Sequence, residues 1–152
     1  MTYDELMEEA QREGLIVKEK PLIARDGLIS GRRVAIRENI PSVQKACALA
    51  EEIGHYKRNA GDITNQAITS NRKQERSGRL WAYEHLVGLS GIISGYQARC
   101  QNRYELANYL GITEEYLQEA IDCYHTKYGT FVEVGKYIIL FEPSLEIREK
   151  VD

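Results

Sequence analysis

The sequence predicts a mainly helical α+β protein that contains a small antiparallel sheet. Its 152 residues are 43% hydrophobic and 28% charged, which suits one soluble globular domain. Apolar residues recur at helical spacing over most of the chain. Two short β-rich segments, at 28–36 and 131–141, each contain a glycine turn that favours a hairpin.

The N-terminal elements are predicted to be a helix followed by the first hairpin. Thr2 and Glu5 stand three residues apart and form a capping box, and Gly14 ends the helix. The hairpin pairs two apolar runs across a turn at Ser30–Gly31. We expect this pair to form the small antiparallel sheet.

Four further helices are predicted from periodic apolar residues, at 42–55, 72–86, 103–110 and 114–127. Thr113 is the expected N-cap of the last of these helices. Gly88, Gly91 and Gly95 interrupt the segment between the second and third, and its centre still has a helical pattern. A C-terminal hairpin turns at Gly135–Lys136.

Composition excludes several classes of protein. There is no apolar run of the ~20 residues that a membrane span needs and no signal peptide, so we expect a cytoplasmic protein. The net charge of −3 argues against a surface built for nucleic acid. Three cysteines without CxxC spacing fit neither a disulfide framework nor a cysteine-rich zinc module. Because the chain has three histidines, any metal site must depend largely on carboxylates.

The segment at 50–56 carries the most informative pattern for chemistry. Glu51 and His55 lie one helical turn apart, so both side chains project from one face and can bind one metal ion. Glu52 lies about 100° further round the helix, where its carboxylate can reach a bound water. This is the arrangement of the H-E-x-x-H helix with glutamate at the first ligand position. The spacing alone favours the alternative, a solvated glutamate pair beside a partly buried histidine.

Five other segments contribute to a family resemblance together with residues 50–56. They are 3–6 (YDEL), 71–76 (NRKQER), 81–84 (WAYE), 102–107 (NRYELA) and 127–129 (KYG). Together with 50–56 they resemble the ImmA/IrrE family of metallopeptidases, and most closely its short members from phages and prophages of Gram-positive bacteria. The resemblance covers nearly the whole chain. It implies a zincin-like metal-binding part at about 1–98 and a helix-turn-helix-like part with a β-hairpin at about 99–142, within a single domain.

The resemblance also implies roles for individual residues. The family pattern E-x-x-A-x-x-F-A matches residues 75–82, with Gly78 at the alanine and Trp81 at the aromatic position. His55 and Glu75 are then metal ligands, and Glu52 is the general base. Glu51 stands where the family usually has histidine, and it is the candidate third ligand.

The glutamate at position 51 changes the expected chemistry of the metal. Two carboxylates and one imidazole place more negative charge on the ion than a site of two histidines and one glutamate. The ion is then a weaker Lewis acid, and its preference shifts from zinc towards metals that accept oxygen, such as manganese. We therefore expect one divalent metal, zinc or manganese, in a less selective site.

Three further residues are candidates for substrate binding. Tyr56 directly follows the last ligand, and Arg72 and Arg76 belong to a basic run at the start of the second metal-binding helix. A tyrosine at a helix end is also typical of packing, and a basic run is also typical of a solvated face. Packing of Tyr56 and solvation of the basic run are therefore the alternatives to substrate contact. His85, on the same helix, is expected to be a surface or packing histidine.

The segment from 103 to 124 predicts two helices joined at Gly111, which fits a helix-turn-helix. Its second helix contains four acidic residues and no Lys or Arg between 113 and 124. Such a helix is repelled by DNA phosphates, so the sequence disfavours direct DNA binding and favours packing or protein recognition.

Two hypotheses of function follow. In the first, the chain is a metal-dependent endopeptidase, a hydrolase, that cuts a repressor-type protein and so acts as an anti-repressor. In the second, it is a non-catalytic module that binds a repressor and has a degenerate metal site. The sequence names neither the repressor nor the oligomeric state, and Glu51 is the residue that separates the two hypotheses.

Overall fold

A computed structural model describes residues 1–59 and 68–151, with the backbone alone described at residue 59 and at 68–75. The chain divides into two compact units, Met1–Leu86 and Val87–Asp152. The predicted organisation as one domain with two parts, meeting near residue 98, stays a prediction. The mixed α+β class and its mainly helical character are confirmed.

The first unit contains helices α1 (Tyr3–Arg12), α2 (Ser42–Asn59) and α3 (Ile68–Leu86) and strands β1 (Ile16–Lys20), β2 (Gly27–Ser30) and β3 (Arg33–Arg37). The capping box predicted for α1 is present, because the Thr2 hydroxyl accepts a hydrogen bond from the Glu5 amide at 3.1 Å. α2 continues one turn past His55, and α3 begins at Ile68, ahead of the start predicted at 72.

The sheet of the first unit has the strand order β1-β3-β2. β2 and β3 form the predicted antiparallel hairpin, with Ser30 opposite Arg33. β1 adds a parallel strand on the other side of β3, with Ile16 opposite Arg33. The sequence did not predict this parallel partner, because its pairing depends on a long-range contact and not on a turn.

The core of the first unit lies between one face of this sheet and the helices. Val34 and Ile36 of β3 alternate with half-buried neighbours and are almost fully buried. They pack towards α2, which contacts both β2 and β3. Leu49 and Ile53 of α2 and Leu6 of α1 are fully buried in the same core. α2 is therefore the central helix, with α1, α3 and the sheet around it.

The second unit contains helices α4 (Gly88–Gln97), α5 (Arg103–Leu110) and α6 (Glu114–Tyr128) and strands β4 (Phe131–Val134), β5 (Tyr137–Leu140) and β6 (Glu146–Glu149). The predicted C-terminal hairpin β4–β5 is confirmed, and β6 extends it to an antiparallel sheet. Gly111 ends α5 in the left-handed conformation, and Thr113 caps α6 by accepting the Tyr116 amide at 3.0 Å.

The glycines of α4 do not interrupt the helix, which is continuous from Gly88 to Gln97. A Cβ atom added at Gly91 would lie 3.2 Å from a methyl carbon of Leu110 on α5. A Cβ atom at Gly95 would overlap the side chain of Leu106, which also lies on α5. These glycines therefore allow α4 and α5 to approach closely. Among the described helices none is long and apolar enough to cross a membrane.

Tyr3, Glu19 and Lys45 form a polar cluster that joins α1, β1 and α2. The Tyr3 hydroxyl donates to Glu19 Oε2 at 3.2 Å, and Lys45 Nζ donates to Glu19 Oε1 at 2.7 Å. The hydrogen bond from Lys45 lowers the pKa of Glu19. Burial, followed by the Glu19 charge, raises the pKa of Tyr3 from 10.0 to about 12.

We expect this cluster to make stability depend on pH at alkaline values. Tyr3 has the higher pKa in the folded state, so its contribution is complete below pH 10.0 and is lost as the pH rises towards about 12. The stability advantage of the wild type over Tyr3→Phe should therefore shrink between about pH 9 and pH 11.5. Urea unfolding of both proteins at these two pH values measures the difference. An advantage that is equal at both pH values would contradict this prediction.

Candidate metal centre

The predicted catalytic segment lies in the middle of α2, on the side of the helix that faces β2 and α3. Glu52 is buried, with 8% of its surface exposed, and it is the only buried charged side chain in the described part of the chain. Glu51 and His55 are half-buried. Fully buried charged side chains are rare in proteins, so the buried Glu52 marks this part of α2 as a candidate functional site.

The burial of Glu52 depends on a glycine in β2. A Cβ atom added at Gly27 would lie 3.1 Å from Glu52 Cγ and 3.4 Å from Glu52 Oε1. It would also lie 3.5 Å from the Ala48 methyl group, one turn earlier on α2. A larger residue at position 27 would therefore press on the Glu52 carboxylate. Gly27 and Ala48 together leave the space that this side chain fills.

α2 and α3 cross at two glycines. A Cβ atom added at Gly54 would overlap the carbonyl oxygen of Gly78 and approach the Trp81 ring to 3.1 Å. A Cβ atom added at Gly78 would lie 2.9 Å from His55 Cγ and 3.0 Å from His55 Nδ1. The imidazole of His55 therefore rests directly on the backbone of α3. The glycine at the alanine position of the family pattern leaves room for this ring in the present packing of α2 on α3.

Position 75 lies on α3 one turn before Gly78, so the helix crossing brings its backbone to the part of α3 that faces His55. The side chains of Glu75 and Arg72 lie outside the described residues. Arg76 is exposed, and Tyr56 is half-buried next to His55. The structure thus places Glu51, Glu52 and His55 within five residues of α2, and the roles of all the predicted site residues stay predictions.

The donor atoms of α2 suit a divalent metal. One imidazole and two carboxylates within five residues are ligands that zinc and manganese accept. The described side chains contain no group of three or more His, Cys, Asp and Glu residues placed to hold a metal ion. A complete site therefore requires a donor beyond the described side chains, and position 75 is the position that the sequence pattern provides.

His85, the other histidine of the first unit, has a different environment. Its Nε2 lies 2.7 Å from Glu9 Oε2, and its ring stacks on Trp81 with centroids 4.5 Å apart. Lys57 Nζ lies 5.5 Å above the Trp81 ring centroid and donates to Glu13 Oε1 at 2.7 Å. These contacts tie α1 and α2 to α3. His85 is thus an exposed histidine with packing contacts, which agrees with the prediction of a surface or packing role.

Gly27 and Gly54 shape the site, and sequence reasoning did not single them out. Gly54 stands inside the motif itself, and a glycine within a long helix costs about 1 kcal/mol relative to alanine. The low helix propensity of this glycine was therefore the feature of the sequence that could have indicated a closely packed helix. Gly27 carried no such signal, because glycine is common at the start of a strand after a loop.

A comparison with protein families identifies the family of this chain. The sequence profile described as the IrrE N-terminal-like domain, a peptidase family, matches residues 10–122. The chain belongs to this family, and its resemblance to ImmA/IrrE proteins is confirmed. No curated protein and no solved structure shows significant similarity to the chain. The match includes α2, α3 and all the predicted site residues.

Membership of this family indicates a metallopeptidase-like function. The family is typically metal-dependent, which agrees with the donor set on α2.

Proposed function

We propose that the chain is a metal-dependent endopeptidase with a zincin-like helix, and that it hydrolyses a peptide bond in a repressor-type protein. The observation that carries the proposal is the buried side chain of Glu52, which lies against Gly27 of β2 on the same helix whose His55 lies against Gly78 of α3. Membership of a peptidase family supports the assignment of this carboxylate to catalysis. The alternative interpretation of the spacing is a solvated pair of glutamates. That interpretation gives no reason for Glu52 to be buried.

His55, Glu75 and Glu51 are the residues that would hold the metal, which we assign as zinc or manganese. A bound divalent cation supplies Lewis acidity, which polarises the water nucleophile and the peptide carbonyl. Glu51 follows the donor spacing of a ligand, one turn from His55. Its carboxylate, in place of histidine, widens the range of metals that the site accepts.

Glu52 acts first as the general base and then as the general acid. Its carboxylate accepts a proton from the attacking water and then donates that proton to the amide nitrogen that leaves. The Glu52 side chain is buried against Gly27 of β2, where the absence of a side chain leaves room for it. A carboxylate that is already positioned loses less freedom when the substrate binds, so less of the barrier remains to be overcome.

The substrate that we propose is a repressor of a phage or prophage, in the cytoplasm of the bacterial host, so that cleavage has an anti-repressor effect. Tyr56, Arg72 and Arg76 are placed at or near the ends of the metal-binding segments and are the candidate contacts. α5, Gly111 and α6 would form a helix-turn-helix-like element that serves protein recognition. The first turn of α6 contains Glu114 and Glu115, which disfavour contact with DNA.

The direct test is incubation of the purified chain, loaded with zinc or with manganese, with the repressor encoded in the adjacent gene. We expect a single cleavage, detected by mass spectrometry, that a chelator abolishes. Cleavage that persists after metal removal would contradict a metal-dependent mechanism.

Glu51 supports a second candidate function, a repressor-binding module without catalysis. If two carboxylates weaken the Lewis acidity too far, the site retains binding and loses hydrolysis. Size-exclusion chromatography of the same mixture separates the two candidates. A stable complex without cleavage products supports the module, whereas cleavage products support the enzyme.

A further inference from the structure

The sheet of the first unit has one face that is not covered by α2. Alternation along the strands places on this face the residues that we call the basic sheet face: Ile16, Lys18, Lys20, Leu28, Arg33 and Ala35. The opposite face carries Val34 and Ile36, which are 2% and 0% exposed in the core. The basic sheet face therefore has no role in the core of this unit.

The basic sheet face also contains apolar side chains, one on each strand. Ile16 is 53% exposed and Leu28 is 44% exposed, and Ala35 lies between Lys18 and Leu28 in the strand register. These residues border a depression of about 370 Å³. Single exposed apolar residues are common, but a contiguous group around a depression indicates a contact surface.

The rim of the depression is positively charged. Lys18, Lys20 and Arg33 are exposed around it, although the chain as a whole carries a net charge of −3. The strand positions on this face hold no acidic residue. Glu19 points to the other side of β1, where it binds Lys45 and Tyr3. The local charge therefore opposes the overall charge, as is typical of a surface that attracts an acidic partner.

The dimensions fit one helix. The outer strands of a three-stranded sheet lie about 10 Å apart, which is close to the diameter of a helix with its side chains, about 10–12 Å. A helix that lies along β3 can place an apolar stripe on Ala35 and on Leu28 of β2. Its carboxylates can then reach Lys18 on β1 and Arg33 at the start of β3.

We propose that the basic sheet face docks an acidic amphipathic helix of a protein partner. Nucleic acid fits this face less well, because the face offers no aromatic side chain on which a base can stack. The docked helix would lie on the side of β2 and β3 away from the Glu52 carboxylate. Docking therefore leaves the candidate metal centre accessible, and it does not require hydrolysis.

Fluorescence anisotropy of a labelled helical peptide tests the proposal, with full-length protein throughout. The probe has a leucine stripe flanked by glutamates, and the control peptide has glutamine in place of glutamate. We expect the glutamate peptide to bind at least about tenfold more tightly than its control, and to weaken as salt is raised. Lys18→Glu and Leu28→Ser should each weaken binding about tenfold.

Lys136→Glu, which makes the same change of charge in the turn between β4 and β5, is the matched control and should leave binding unchanged. Equal binding of the two peptides, or equal affinity of Lys18→Glu and wild type, would overturn the proposal. So would tighter binding of a DNA duplex or of oligothymidine than of the peptide. Glu52→Gln should bind the peptide like wild type, so failure of docking and failure of hydrolysis are distinguishable.

Discussion

Replacement of Glu52 by glutamine is expected to lower the rate of repressor cleavage by about 10²–10⁴-fold, the usual contribution of a general base. Glutamine has nearly the same shape as glutamate, so it fits the space left by Gly27 and Ala48. It cannot accept the proton from water. The fold should therefore persist while hydrolysis is lost, and binding of the repressor should remain.

The matched control is Glu8→Gln, which makes the same chemical change at an exposed position of α1. Its cleavage rate should equal that of the wild type. Rates are measured under single-turnover conditions, and circular dichroism checks the fold of both variants. If Glu52→Gln cleaved at the wild-type rate, Glu52 would not be the base, and the burial of its carboxylate would need another explanation.

Replacement of Gly54 by alanine is expected to destabilise the protein by about 1–3 kcal/mol, the usual effect of overpacking. Helix propensity alone predicts the opposite sign, a gain of about 1 kcal/mol. The added methyl group would overlap the Gly78 carbonyl oxygen, which belongs to the backbone and cannot rotate away. α2 and α3 would have to separate. This separation would also move the His55 ring from its place on Gly78.

Gly91→Ala is the matched control, since it also adds a methyl group to a glycine within a helix. The nearest atom is the end of the flexible Leu110 side chain, at 3.2 Å, which can shift. Urea unfolding should show stability equal to or above that of the wild type for Gly91→Ala and a clear loss for Gly54→Ala. A higher free energy of unfolding for both variants would contradict this prediction, because it would show that α2 and α3 accommodate the added methyl group at Gly54.

The sequence predicted the local features of this fold well. The Thr2 capping box, the Thr113 N-cap and both hairpins depend on interactions between residues close in the chain, and all are present. The parallel pairing of β1 and the strand β6 were not predicted. β1 reaches β3 across more than ten residues, and no turn signal reports such a contact.

In the candidate site too, the sequence predicted the local features and missed the long-range contacts. The spacing of Glu51, Glu52 and His55 on one helix could be derived from the sequence, because helical periodicity fixes which positions share a face. The enclosure of Glu52 by Gly27 and the contact of His55 with Gly78 could not be derived, because they join elements that are distant in the chain. The roles of His55, Glu51 and Glu75 as metal ligands and of Glu52 as the general base stay predictions.

Calorimetric titration of the metal-free protein with zinc and with manganese tests the central claim, that α2 carries a metal centre built around His55. The wild type should bind one divalent ion per chain. His55→Ala should weaken binding by more than about 100-fold, because loss of a ligand exceeds the ~10–100-fold effect of losing an outer partner. His85→Ala, which removes a packing histidine of the same unit, should bind like the wild type. Equal affinity of His55→Ala and wild type, or no binding of either metal, would contradict the account.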